Sequence, residues 1–241
     1  MRVVLAAIAI VALLGPTAFA DTIQLYESRF RIDGTLSPDP ALGITFCCNL
    51  DAAPGLPLPP AWGVAAFDFN TGLGTIVATV TGAGPHTVIV GLNHDLIPDS
   101  DPNYANDMAA TVGSAGTVLW EIDEPGYVSG NLFANVAGTL DNANDLPGPD
   151  DVSWALGRSF SLAANQSATV TFRAANTAPA GGFYLQQSEV GLADTVYFSV
   201  GDPVITGGGV PGVPEPGTWL LVGSALALLG TLRRRSTLLR R

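Results

Sequence analysis

Hydrophobic and polar positions alternate most clearly over residues 74–81, where Thr75, Val77, Thr79 and Thr81 interleave with Ile76, Ala78 and Val80. A period of two is the mark of a strand that turns one face to a core. The turn Gly82-Ala83-Gly84-Pro85 then leads into a β-branched run over 87–92, and the pair predicts a hairpin. Further strands are predicted over 117–122, 132–140, 152–156, 159–162, 168–173, 183–187 and 195–200. The polar turn Asn165-Gln166-Ser167 suggests a second hairpin. Between the termini no segment sustains apolar residues at three- and four-residue spacing over ten positions, so helices should be scarce. Glycine and proline punctuate the chain every six to twelve residues, and 50–60 reads as an irregular loop. The fold class these patterns predict is all-β, a single β-sandwich or jelly-roll-like domain. Trp120, Trp154, Phe160, Phe172, Phe183, Tyr197 and Phe198 fall on the expected strands, where core packing is their natural role.

The two ends carry different patterns. Arg2, an apolar run over 3–14 and the small-residue site Ala18-Phe19-Ala20 predict a signal peptide, residues 1–20, that hands the chain to the general secretion machinery. The exported domain is expected over 21–206. Residues 204–213, with Gly207-Gly208-Gly209, read as a flexible spacer, of which 207–213 is the linker proper. Residues 214–241 hold Pro214-Glu215-Pro216, an apolar stretch over 218–232, and then Arg233, Arg234, Arg235, Arg240 and Arg241. As a helix, that stretch would reach about 22 Å, short of the roughly 30 Å of bilayer hydrocarbon. Snorkelling arginines, Trp219 at the opposite interface and local thinning make up the difference, which predicts a short transmembrane helix with its C-terminus cytoplasmic. The two prolines hold Glu215 on an extended, hydrogen-bond-poor backbone suited to an enzyme cleft.

This segment resembles the PEP-CTERM sorting signal of Gram-negative bacteria, in which the triplet, the short hydrophobic helix and the basic terminus follow in this order. The resemblance implies that Pro214, Glu215 and Pro216 are the recognition motif of an exosortase-type processing enzyme. It also implies that the helix is removed or exchanged on the way to the cell surface or the exopolysaccharide matrix. Residues 150–200 are similar in look to exported β domains that precede such tails. That likeness implies a sandwich and a surface location, and it brings no catalytic residue.

Charge narrows the partners. The net charge of -11 hides an asymmetry: there is no lysine, and of the ten arginines only Arg29, Arg31, Arg158 and Arg173 fall between 21 and 213, against twenty of the 21 carboxylates. Such a surface repels phosphate backbones, which excludes nucleic acid, and it favours cations. The only cysteines, Cys47 and Cys48, are adjacent and cannot staple distant strands. A strained vicinal disulfide, intermolecular pairing and a metal-binding or catalytic thiol compete as readings.

The richest polar run is Asn93-His94-Asp95 followed by Asp99, Asp101, Asn103, Asn106 and Asp107. Asp99, Asp101 and Asn103 copy the opening spacing of a calcium loop, which makes Asp95, Asp99, Asp101, Asn103 and Asp107 the candidate calcium ligands. Tyr104 stands where an EF-hand needs glycine and Ala110 where it needs glutamate, so this is not that motif. A second group, Asp141, Asn142, Asn144, Asp145, Asp150 and Asp151, has the same character. The competing explanation is that Asp and Asn build turns. His86 and His94 stand in no metalloprotease or hydrolase motif, although His94 beside Asp95 would suit pairing with a distant serine. Glu121 and Asp123, with Glu124 the densest acidic run, should share one strand face, and that face should be solvated. Trp62, Tyr104 and Tyr127 are expected in loops, where a ring can stack on a sugar.

Three functional classes remain. The first is a non-enzymatic surface or matrix protein sorted by exosortase. The second is a carbohydrate-binding or adhesion module that binds exopolysaccharide, and the third a secreted hydrolase whose paired carboxylates meet in space. Calcium cuts across all three and is the one cofactor expected.

Overall fold

The computed structural model describes residues 23–37, 58–96, 106–126, 129–189 and 191–208, together with Ser224. Residues 1–20, expected as a signal peptide, and Cys47, Cys48, Asp99, Asp101, Asn103, Tyr104, Tyr127, Pro214, Glu215, Pro216, Trp219, Arg233, Arg234 and Arg235 lie outside the described residues.

The elements are β1 (Gln24–Ile32), β2 (Thr35–Leu36), β3 (Trp62–Asp68), β4 (Leu73–Thr81), β5 (Gly84–Asp95), β6 (Asp107–Val112), β7 (Val118–Asp123), α1 (Leu132–Ala137), β8 (Ser153–Leu162), β9 (Gln166–Ala175), β10 (Tyr184–Glu189), β11 (Thr195–Val200) and β12 (Val204–Gly207). The first sheet runs β2-β1-β5-β8-β7 and the second β3-β4-β9-β11-β10-β6, with β12 also on β9. The described ladders are antiparallel, and the expected all-β, sandwich-like domain is what the chain forms.

The core lies between the sheets. Phe30, Val90, Leu92, Trp154 and Leu156 face Ile76, Ala78, Val170, Phe172, Leu185 and Phe198, and the rings of Trp154 and Phe198 meet across the gap at 6.0 Å. Each large apolar side chain removed from water there contributes about 1.5–3 kcal/mol.

Both expected hairpins are sheet-to-sheet corners instead. β4 pairs with β9 and β5 with β8, so the runs β4–β5 and β8–β9 cross together from one sheet to the other. Gly82 and Gly84 at one corner and Asn165 at the other take positive φ, which lets the chain turn out of its sheet. His86 fixes the first corner: its Nδ1 lies 2.7 Å from Asp33 Oδ2 and its Nε2 2.9 Å from the Gly82 carbonyl. These contacts raise its pKa, the Asp33 hydrogen bond most.

Residues 132–140, expected as a strand, hold α1. Leu132, Phe133 and Val136 form one helical face that, with Leu140 just beyond the helix, packs on Ile89, Ala155 and Leu119, covering the outer side of the first sheet. Gly91 admits the helix, since a Cβ there would meet Val136 Cγ2 at 3.0 Å. Arg31 donates to the carbonyls of Val136 and Gly138 at the helix end, and Arg29 lies 5.2 Å from the Phe133 ring centroid. The strands expected at 152–156 and 159–162 are one strand, β8. Gly157 continues it where β5 comes so close that a Cβ would sit 2.8 Å from Ile89 Cγ1.

The start of the supposed spacer, 204–207, is β12, which extends the line of β11 along β9 after a break at 201–203. Arg158 pins that break from the first sheet, with its guanidinium on the Val200 carbonyl at 3.3 Å and on Asp202 at 2.9 Å.

Candidate functional site

The β5 end of the sandwich gathers the polar residues that the sequence singles out. His94 points into the core beside Trp154, whose Nε1 donates to His94 Nδ1 at 3.2 Å. Nε2 therefore carries the ring proton and donates to the Gly72 carbonyl at 3.1 Å. Burial lowers its pKa to about 4, so the ring is neutral and both nitrogens are engaged in the fold. Neither is open to the distant serine considered from sequence.

Gln187, fully buried on β10, donates through Nε2 to Asp107 Oδ2 at 2.6 Å and to the His94 carbonyl at 2.8 Å, linking the two sheets. Burial raises the pKa of Asp107 to about 7; the Gln187 bond works against this, while Glu189, Asp95 and Asp151 add to it. Asp151 is likewise raised, to about 6, by burial first and then by Glu124, Asp150 and Asp95, against an Asn93 hydrogen bond. Of the candidate calcium ligands, the structure thus brings Asp95 and Asp107 within electrostatic reach of each other. It adds Asp151 and Glu189, which the sequence placed in another group or not at all.

A second polar cluster lies on the outer face of the first sheet, beside α1. Glu121 and Asp123 do share a face, as expected, but that face is buried: Glu121 is 0% and Asp123 6% exposed. The sequence reading misses this because it misses the helix. Glu121 accepts from Asn135 Nδ2 at 2.9 Å and from the Asp141 backbone N–H at 3.2 Å. Burial raises its pKa to about 7; those two hydrogen bonds oppose the rise, and Asp141 and Asp123 reinforce it. Asp123 Oδ2 accepts from the Asn131 backbone N–H at 2.7 Å. Across the ladder Asp123 faces Ser153, which faces Asn93. Ser153 Oγ is fully buried and has no hydrogen-bond partner.

Among the described residues no three His, Cys, Asp or Glu side chains form a group that could hold a metal ion. No helix among them is long and apolar enough to cross a membrane. Comparison with protein-family models, curated proteins and solved structures found no match.

The aromatic candidates are placed differently from expectation. Trp62 opens β3 and is buried, its ring edge-on to Phe30 at 5.2 Å and its Nε1 donating to Ser37 Oγ at 2.9 Å. It belongs to the core, because 62–68 pairs with β4 as a strand. Tyr197, expected in the core, instead pairs with Tyr184, which the sequence reading did not single out, as half-buried neighbours with ring centroids 5.7 Å apart. Leu185 and Phe198 point inward, so these tyrosines stand on the outer face of the second sheet. The alternation over 184–187 and 195–200 carried that signal.

Proposed function

We propose that this chain is a non-enzymatic, exported β-sandwich protein of the cell surface or exopolysaccharide matrix, delivered as the cargo of an exosortase-type enzyme. The nested crossing of β4–β5 beside β8–β9 supports a jelly-roll-like winding for the domain. The observation that carries the reading is the ordered tail: Pro214-Glu215-Pro216, an apolar stretch, then an arginine cluster. Its position relative to the domain supports it further. β12 ends at Gly207, seven residues before Pro214, and Gly208 still donates to the Asn165 carbonyl at 3.1 Å. The recognition triplet therefore follows the last described strand after a short stretch rich in glycine and proline, where a membrane-embedded enzyme can take hold of it. In this reading secretion comes first, the helix anchors the chain with its arginines inside, and processing releases it outward.

The test is Glu215→Gln in the producing cell. The variant should accumulate as the longer, membrane-held species, while the melting temperature of the purified protein stays that of the wild type. Unchanged processing and surface delivery would refute the assignment.

A second reading, a carbohydrate-binding module, is favoured by one observation: the Tyr184–Tyr197 pair stands on a sheet face with the polar neighbours Gln186 and Ser199. Such rings stack on the apolar faces of sugars.

A further inference from the structure

The hydrogen bonds around Asn131 cannot all be satisfied. One atom of its side-chain amide lies 2.7 Å from Asn135 Nδ2 and 3.2 Å from both Asp123 Oδ2 and Glu121 Oε1. If that atom is oxygen, it receives Asn135 correctly but faces two carboxylate oxygens. If it is nitrogen, it donates to both carboxylates but meets the NH2 of Asn135 head-on. Turning Asn135 over as well sets its oxygen against Glu121 Oε1, at the 2.9 Å where its nitrogen now donates. Every orientation leaves at least one repulsive contact while both carboxylates are ionised.

The charge balance points the same way. Of the ion pairs among the described residues, Arg29–Glu27, His86–Asp33 and Arg158–Asp202, none involves Glu121 or Asp123. Arg29 stands on β1 and Glu121 on β7, three strands apart and so about 14 Å. The first backbone N–H groups of α1 are already taken, since Leu132 and Phe133 donate to the carbonyls of Glu124 and Pro125. Ser153 Oγ adds a fully buried oxygen without a partner, directly across the ladder from Asp123.

We infer that Glu121, Asp123 and Asn131 form a binding site for a calcium-sized divalent cation on the outer face of the first sheet. The Asn131 oxygen and the two carboxylate oxygens it faces at 3.2 Å become its ligands, and both Asn135 hydrogen bonds are kept. Neighbouring ligands of an octahedral ion stand about 1.4 times the metal–oxygen distance apart, so the 3.2 Å from Asn131 to each carboxylate oxygen matches the roughly 2.3 Å of calcium better than the roughly 2.1 Å of magnesium. Asn131 is exposed, so the ion can enter from solvent and keep water in its remaining positions. This site is separate from the Asp95–Asp107 group and does not depend on how the chain is sorted.

The test uses the purified full chain stripped with chelator at neutral pH, titrated with calcium chloride by calorimetry and melted with calcium or magnesium. One site is expected, with Kd of about 10⁻⁴–10⁻³ M as in extracellular modules, and calcium should raise the melting temperature where magnesium does not. Glu121→Gln with Asp123→Asn should abolish both responses, and Asp107→Asn should keep them. Should the double variant fail to fold, the exposed Asn131 decides: Asn131→Asp should tighten binding and Asn131→Ala weaken it by about tenfold or more. Coincident melting curves with and without calcium would overturn the inference, as would an equal effect of magnesium or loss of the response in Asp107→Asn. A Glu121→Gln variant that melts above the wild type and still responds fully to calcium would also overturn it, because a shared proton would then be what neutralises the cluster.

Discussion

Asp107 makes the interior of this sandwich sensitive to pH, and replacing it by asparagine isolates the effect. The carboxyl is buried, and its pKa stands at about 7 against 3.8 for an ordinary aspartate. A raised folded-state pKa stabilises the fold fully below about pH 4, and the contribution is lost as pH rises through 7. At about 1.4 kcal/mol per pH unit, a shift of about three units amounts to about 4 kcal/mol. His94 acts in the opposite sense. Its pKa falls from 6.5 to about 4, so its contribution is present above pH 6.5 and is lost as pH falls towards 4, by about 3 kcal/mol. Between pH 4 and 6.5 the two nearly cancel, so the wild-type pH profile alone says little about either. The difference between wild type and Asp107→Asn removes His94 and Glu121 from the comparison, because both proteins contain them, while Asp151, whose charge adds to the Asp107 shift, stays coupled to the change. The asparagine oxygen can still accept from Gln187 Nε2, so the link between the sheets survives. Urea unfolding in chelator, followed by tryptophan emission, to which the buried Trp62 and Trp154 contribute, measures the difference. The variant should gain on the wild type by about 4 kcal/mol between pH 4 and 8, with most of the change below pH 7. A difference that stays flat across that range would refute the burial argument.

Two further changes probe the scaffold and the second functional reading. Gly72 has φ +67°, and a Cβ there would overlap His94 Nε2 and come within 2.9 Å of Leu25 Cδ1. Gly72→Ala should therefore cost about 2–4 kcal/mol in urea unfolding, and a cost below about 0.5 kcal/mol would show that the histidine seat is pliable. If the outer tyrosine pair binds sugar, Tyr184→Ala with Tyr197→Ala should abolish retardation of the protein in affinity electrophoresis through a gel containing bacterial exopolysaccharide. Unchanged mobility of the double variant would remove that reading.

How much of the fold is legible in the sequence depends on how many faces of each strand are covered. β4, β7, β9 and β11 lie close to where their alternation places them, and β11 coincides with the expected 195–200. β1 was missed because its outward residues Glu27 and Arg29 pair with each other, and Glu27 is buried, so its pattern reads as neither amphipathic nor apolar. The Asp33-Gly34 turn that joins it to β2 was the available signal, with both residues at positive φ. α1 escaped because six residues are too few to show a helical period, although 132, 133 and 136 do lie on one helical face. Its absence from the expected fold then misplaced Glu121 and Asp123 in solvent and concealed the frustrated contacts around Asn131.

The corners show where local reading stops. Gly82-Ala83-Gly84-Pro85 suits a hairpin as well as a change of sheet, so the turn itself decides nothing. The flanking strands do. Over 75–81 apolar and polar positions alternate, whereas over 88–92 the chain runs Val-Ile-Val-Gly-Leu without a polar break. Hairpin partners lie side by side in one sheet and share its two faces, one against the core and the other either open or covered for both. A strand with one open face beside a strand with none is therefore evidence that the two belong to different sheets. β4 is covered mainly on one face, while β5 from Val88 to His94 is buried on both, between the core and α1. That contrast called for a second layer on the outer side of β5, and the nearest segment able to supply it is the apolar face now seen at Leu132, Phe133 and Val136. Read together, the uninterrupted run and the short apolar cluster would have placed both the corner and the helix, and with them the buried side of Glu121.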